Sequence, residues 1–324
     1  MAVYTHISND EIEALLEQYD LGHLRFAVGI AQGVENSNYL IECQKKDAIT
    51  KYILTIYEKR VNPQDLPFFL GLMQHLSARG FACPLPIQTR KSELLTQVNG
   101  KPAAIISFLE GHSKTQFKNA HLAELGASMA KMHLAANGFK LVRENTLSLA
   151  GWKQLSESLG DKLDTVLSGL SGAIAKEIAW LEQHWPTGLP RGVIHADLFP
   201  DNVFFTGNHL SGVIDYYFAC EDFFAYELAI CMNCWCFEPS HEFNVTKAGH
   251  LFKAYDKVRL LTDRERHALP ILARGAALRF LLTRAHDKIH HDASALVVPK
   301  DPLEYWKKLL FHQQVQSVAE YGIV

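Results

Sequence analysis

The sequence predicts an α+β protein in two lobes: a small antiparallel β-sheet lobe with one helix, then a larger, mainly helical lobe. Three observations predict it. Over the first part of the chain, apolar residues recur with period two in short runs separated by turns. Past Glu110-Gly111-His112 the period becomes helical. After that point the only strand signals are short runs at 192–195, 202–206 and 210–215. The lobes divide as residues 1–108 and 109–324, with 109–113 as connector.

Ser8 with Glu11 three residues on is a capping box, and Ile12, Leu15, Leu16 and Tyr19 share one face, so residues 8–20 read as a helix. Strands follow at 24–30, 38–43 and 51–57. The segment 64–79 reads as a helix interrupted near its start by Pro67. Two more strands, near 93–97 and 103–108, flank the turn Asn99-Gly100. Beyond the connector, helices are expected at 119–137, 152–159, 172–185, 223–237, 246–260, 263–286 and 302–320.

Apolar residues make up 48% and charged residues 21% of the 324, the balance of a globular protein. The net charge of −3 speaks against a nucleic-acid partner, which calls for a basic face. No apolar run approaches the ~20 residues that span a bilayer. The start, Met1-Ala2-Val3-Tyr4-Thr5-His6, lacks the form of a signal peptide, so a cytoplasmic location is expected. Six cysteines are then expected as thiols. Cys231-x-x-Cys234-x-Cys236 invites a zinc reading, but Met232, Trp235 and Phe237 around it favour small buried side chains on a helix.

The run Gly192-Val193-Ile194-His195-Ala196-Asp197-Leu198-Phe199-Pro200-Asp201-Asn202 carries the chemistry. Thirteen residues past Asn202, Asp215 ends a second apolar run. A phosphoryl acceptor hydroxyl must be aimed at the γ-phosphate and must lose its proton, and Asp197 can do both. Asn202 offers a neutral carbonyl oxygen and Asp215 a charged one for Mg²⁺, whose remaining ligands are phosphate oxygens and waters. His195 is expected to fix the loop by hydrogen bonds to nearby backbone or to the acid. Asp222 reads as a cap for the following helix, and Glu227 as structural. In the first lobe, the turn Gln32–Tyr39 has the composition to lay backbone N–H groups over ATP phosphates. Gly33, Asn36 and Ser37 are its candidates. Backbone groups near Ser107, Phe108 and Leu109 would border the adenine.

With these residues the chain resembles the aminoglycoside-phosphotransferase and choline-kinase superfamily, and within it the bacterial homoserine kinases. The resemblance runs over nearly the whole length. It is carried also by Tyr52-Ile53-Leu54-Thr55-Ile56-Tyr57-Glu58-Lys59, Asn233-Cys234-Trp235-Cys236-Phe237-Glu238, the run Arg274–Arg284, Lys300-Asp301-Pro302-Leu303-Glu304-Tyr305 and Phe311-His312-Gln313. It implies a protein-kinase-like fold, ATP and Mg²⁺ as cofactors, and phosphorylation of L-homoserine in threonine biosynthesis. By position Asp197 matches the catalytic aspartate, and Asn202 and Asp215 match the metal ligands.

One departure stands out. Kinase-like folds place a Lys on the third strand, paired with a helix Glu. Here Thr55 holds that position, and 64–79 contains no Glu. Lys51 and Lys59 are candidates to reach the phosphates instead, with a solvated surface lysine as the plain alternative for each. The amino-acid end of homoserine calls for a cation at its carboxylate and an acid or carbonyls at its ammonium. Arg279 is the first candidate, because it sits amid apolar residues. Arg284 and Glu238 follow, with Asn233, Arg274 and Asp287 as further options. Rivals remain at this level: a kinase for another small alcohol, such as an aminoglycoside, whose pocket should be markedly acidic, or choline, and a protein without catalysis. Trp235, Phe237, Tyr216 and Tyr217 could build a choline cage, and the missing Lys/Glu pair could mark a nucleotide-binding protein without catalysis. The sequence does not speak to oligomeric state.

Overall fold

A computed structural model describes residues 4–30, 36–58, 61–291 and 298–323. The chain divides into two compact units, Met1–Gly111 with Ser211–Tyr217, and His112–Leu210 with Phe218–Val324. The linear boundary drawn at 108/109 falls three residues before Gly111. A linear reading has no means of returning 211–217 to the first unit.

The first unit is built on an antiparallel sheet of β1 (His23–Gly29), β2 (Ser37–Lys45), β3 (Ala48–Ile56), β4 (Thr96–Val98) and β5 (Lys101–Ser107), in the order β1-β2-β3-β5-β4. Alternation does the sorting. Tyr39, Ile41 and Cys43 of β2 and Leu54 and Ile56 of β3 turn inward. They meet Ile12, Leu15 and Leu16 of α1 (Asn9–Leu16) in one apolar core. Ser8 and Glu11 close the capping box on α1, Ser8 N donating to Glu11 Oε2 at 2.7 Å. Asn99 and Gly100 both have positive φ, 52° and 74°, as a tight hairpin turn between β4 and β5 requires. Pro67 does not interrupt α2 (Leu66–Ala78). It sits in the first turn, where a missing N–H breaks no hydrogen bond, and a 3₁₀ turn at Pro63–Asp65 leads in.

The second unit holds α3 (Asn119–Ala135), α4 (Leu149–Leu159), α5 (Leu170–His184), β6 (Arg191–Ile194) and β7 (Val203–Thr206). After β8 (His209–Val213) come β9 (Cys220–Phe223), α6 (Phe224–Trp235), α7 (Val245–Asp256), α8 (Asp263–Ile289) and α9 (Leu303–Gln314). β9 was not expected. It pairs antiparallel with β6, Gly192 opposite Asp222 and Ile194 opposite Cys220. Asp222 is therefore a strand residue and not a helix cap. Its Oδ1 accepts from Phe223 N at 2.7 Å and its Oδ2 from Asn145 Nδ2 at 2.7 Å. The last expected helix stops at Gln314, and the chain re-forms as a 3₁₀ turn at Val318–Tyr321.

α6 is buried along nearly its whole length and runs through the core of this unit. Arg274 of α8 grips Glu177 of α5 with two hydrogen bonds, 2.7 and 2.6 Å. His312 of α9 bonds Tyr321 Oη at 2.7 Å and Asn233 Oδ1 of α6 at 3.0 Å. α3 and α7 approach so closely that a Cβ on Gly126 would stand 2.1 Å from the Leu251 carbonyl oxygen.

Two outcomes follow. Gly126→Ala forces backbone apart and lowers unfolding free energy by roughly 1–3 kcal/mol; an unchanged thermal midpoint would contradict the close approach. Burial pushes the His312 imidazole down to about 3, while an unfolded histidine titrates near 6.5. The unfolded chain thus binds a proton that the native chain refuses. Stability from this group is complete above about pH 6.5 and falls as pH drops toward 3. Between pH 7 and 5 the wild type loses about 2 kcal/mol more than His312→Gln. Parallel stability curves in denaturant titrations would refute this.

Candidate active site

The loop after β6 carries His195, Asp197 and Asn202, and its shape is set from outside. Ala196 has φ +63°, a left-handed conformation that costs a non-glycine residue about 1–2 kcal/mol. Glu227, in the first turn of α6, holds it there. Glu227 Oε2 accepts from His195 N at 3.1 Å, and Oε1 accepts from Ala196 N at 2.6 Å. Oε2 also bonds His133 Nε2 at 2.8 Å, and His133 Nδ1 bonds Tyr255 Oη at 2.8 Å. Glu227 and His133 are both buried. Burial alone would push the Glu227 carboxyl up. The His133 hydrogen bond and the His133 and His195 charges outweigh it and hold the group below the usual carboxylate range.

The next carbonyl is fixed by the same helix. Leu198 O accepts from Trp235 Nε1 at 2.6 Å, with Cys234 Sγ at 3.6 Å and Cys231 Sγ at 3.9 Å. So the cysteine cluster packs the loop. All six cysteines are thiols. Among the described residues no three His, Cys, Asp or Glu side chains converge on a metal position.

His195 is buried, and its Nδ1 accepts from Asp197 N at 3.3 Å. It is a positioning residue in this geometry. Asn202 points its amide nitrogen back into the loop, donating to Asp197 O at 2.9 Å and Asp197 Oδ2 at 3.0 Å. That orientation leaves the carbonyl end of Asn202 for a hard cation, so the residue fits a Mg²⁺ ligand. Burial pushes the Asp197 carboxyl up, opposed by the charges of Arg279, His195 and Lys300.

The three candidates for the amino-acid end differ sharply. Arg284 donates to Glu304 Oε2 at 2.6 Å and to Asp301 O at 3.2 Å. Glu238 accepts from Lys247 at 2.6 Å and Asn244 at 2.7 Å. Both charges are answered within the fold. Arg279 is only 2% exposed, yet its Nε and Nη1 have no hydrogen-bond partner among the described residues.

In the first unit, Gly33 and Lys59 lie outside the described residues. Asn36 and Ser37 are buried, and their side chains bond within the fold. Asn36 Oδ1 accepts from Glu58 N at 3.2 Å. Ser37 Oγ donates to Glu58 Oε1 at 2.7 Å and accepts from Tyr4 N and Thr5 N. Ser107 likewise is committed: its N donates to Leu85 O and its Oγ accepts from Leu85 N, both 2.8 Å. Leu109 lies on Gly212, where a Cβ would meet its Cδ2 at 2.3 Å.

Lys51 is half-exposed, 3.8 Å from Glu42 Oε1 and 5.7 Å from the Phe108 ring centroid. Thr55, in the strand-three lysine's place, donates to Asn38 Oδ1 at 2.8 Å. Beside it Tyr217 Oη donates to Tyr57 Oη at 3.2 Å. Burial, and to a lesser extent the Asp215 charge, push both tyrosine hydroxyls up. Asp215 itself has φ +65°. The aromatics considered for a choline cage are in packed clusters: Tyr217 on Tyr57 and Phe69, Trp235 on Phe117 and Phe205, Phe237 on Phe243 and Phe311.

The Glu227 clamp and the Trp235 contact were not read from the sequence. One signal was present: Glu227, Cys231, Cys234 and Trp235 recur at helical spacing on one face of α6.

The phosphotransferase enzyme family matches residues 27–261. The chain belongs to this family. Within it, the homoserine kinases of Xanthobacter autotrophicus and a Bradyrhizobium species are each 54% identical over 323 residues, covering 100% of this chain and 99% of their own. That of Agrobacterium fabrum is 53% identical over the same span. Among solved structures, an amicoumacin kinase in complex with AMP-PNP and Ca²⁺ aligns with TM-score 0.70 at 16% identity, covering 95% of each chain. A choline kinase from Cryptosporidium parvum aligns at 0.67 and 15%, again over 95% of each. For the phosphotransferase fold this confirms the α+β, protein-kinase-like expectation. No described helix is long and apolar enough to cross a membrane.

If the Glu227 carboxylate shapes the loop, Glu227→Gln must present an amide N–H to one of the two backbone N–H groups. We expect kcat to fall roughly 10- to 100-fold, the worth of a charge-assisted hydrogen bond, with KM for ATP nearly unchanged. A wild-type kcat in steady-state kinetics would remove the clamp from the account.

Proposed function

We propose that the chain is a homoserine kinase, transferring the γ-phosphoryl group of ATP to the hydroxyl of L-homoserine to give O-phospho-L-homoserine, a step of threonine biosynthesis. The observation that carries this is 54% identity to homoserine kinases over the whole chain, together with a loop that presents Asp197 in a fixed orientation. The substrate is a small molecule, and a cytoplasmic location goes with that reading.

Asp197 is the proposed base. Its Oδ2 is tethered by Asn202, which aims the carboxylate. The acceptor hydroxyl gives its proton to that carboxylate as its oxygen bonds to the γ-phosphorus and the bond to the β-phosphate oxygen breaks. Burial serves this role, because a desolvated carboxylate is a stronger base than one in water. Mg²⁺ is the proposed metal, with Asn202 and Asp215 as its protein ligands; bound with ATP it would neutralise the developing phosphate charge. Two oxygen ligands of this kind are what Mg²⁺ takes from protein. A nucleotide held without the strand-three lysine is consistent with Thr55 standing in a hydroxyl cluster with Asn38, Tyr57 and Tyr217.

ADP release measured with L-homoserine, choline and no acceptor tests the reading. Turnover is expected with homoserine alone. Asp197→Ala should lose on the order of 10³-fold or more in kcat. Equal rates with choline, or a fully active Asp197→Ala variant, would overturn it.

A further inference from the structure

Arg279 is an anomaly in its unit. The other arginines of the helical unit that are mostly buried and lie on or beside α8 each have a carboxylate at hand: Arg259 with Glu265 at 2.9 Å, Arg266 with Asp256 at 2.8 Å, Arg274 with Glu177 at 2.6 Å, Arg284 with Glu304 at 2.6 Å. Arg279 is the most deeply buried of the five and has no such partner among the described residues. A buried guanidinium with two idle nitrogens is a destabilising feature unless something supplies the missing acceptors.

Its surroundings say what would. Arg279 stands one helical turn past Gly275, whose bare Cα admits Trp185 and Trp152: a Cβ there would lie 2.4 Å from one ring and 2.8 Å from the other. Both tryptophans pack on Tyr226, whose hydroxyl the Arg279 guanidinium faces. The Phe280 and Phe218 rings flank the cation at 4.7 and 5.8 Å. The wall is aromatic, and among the described residues no acid pairs with the guanidinium. The nearby acids are otherwise engaged. Asp222 is bonded by Asn145 and Phe223 N, and Asp197 by Asn202. Arg279 is near enough to stabilise the charge on both. It therefore lies beside the proposed base without being paired to it.

The geometry points to Arg279 as the receptor for the acceptor's α-carboxylate, bound by guanidinium donors that have no partner among the described residues, the residue that makes this site select an amino-acid alcohol over a neutral one. This rests on the reading of Asp197 as the base. A guanidinium gives a carboxylate charge-assisted hydrogen bonds, which a carboxamide or a plain alcohol cannot accept equally. A carboxylate there would answer donors that have no other acceptor among the described residues, and a neutral acceptor would leave them unanswered.

The test compares wild type and Arg279→Met with L-homoserine and with L-homoserine carboxamide, by steady-state kinetics, binding calorimetry and thermal melting. Wild type should favour the carboxylate in kcat/KM by on the order of 10²–10³-fold, the effect of removing one partner from a buried charge pair. In Arg279→Met that ratio should collapse toward one, chiefly through KM, and calorimetric affinity for L-homoserine should fall in step. The melting temperature should hold or rise, since an unpaired buried charge has been replaced by an apolar side chain of similar length. A ratio that survives the substitution, or an equal loss for both acceptors with a lower melting temperature, would overturn the proposal and make Arg279 a structural residue. Wild type that neither binds nor phosphorylates L-homoserine would overturn the function reading and the proposal together.

Discussion

A single buried carboxylate, Glu227, determines the shape of the loop on which the chemistry rests. It answers two backbone N–H groups in succession, His195 and Ala196, at the point where the chain takes a left-handed step. The step alone is unfavourable by about 1–2 kcal/mol, and each charge-assisted hydrogen bond contributes about 1.5–3 kcal/mol. The hydrogen bonds therefore outweigh the strain and favour this conformation. His133 and Tyr255 keep Glu227 ionised and oriented from behind. Downstream, Trp235 and Asn202 fix the Leu198 carbonyl and the Asp197 side chain. The aim of Asp197 follows from contacts that never touch a substrate.

How much of this could be read from the chain depended on how far apart the interacting residues lie. Ser8 with Glu11, and Asn99-Gly100, are local devices, and the structure repeats them as read. The alternation of β2 and β3 is likewise local and sorted the core correctly. β9 was missed because a four-residue strand owes its existence to β6, far back along the chain. Asn36 and Ser37 looked like phosphate contacts because their turn is small and polar. Their side chains are buried against Glu58 and Thr5, a partnership that no local pattern announces.

The candidate site shows the same division. The spacing from His195 to Asn202 is a local motif, and its reaction class was legible. The roles of Glu227 and Trp235 were not, since their partners lie about 31–37 residues away. Arg279 was half legible. Its place in the run Ala276-Ala277-Leu278-Arg279-Phe280-Leu281 says that it is buried. Only the structure shows that Arg284 and Glu238 are satisfied internally while Arg279 is not. If Arg279 receives the acceptor's carboxylate as proposed, stability and selectivity pull against each other at one residue.

Hydrogen exchange at the His195 and Ala196 amides, in the wild type and in Glu227→Gln, tests the central claim most directly. If the carboxylate holds the loop, both amides exchange slowly in the wild type. In the variant they exchange many-fold faster, while the amides of α5 keep their protection. Equal exchange rates in the two proteins would show that the loop keeps its shape without Glu227, and would contradict the account.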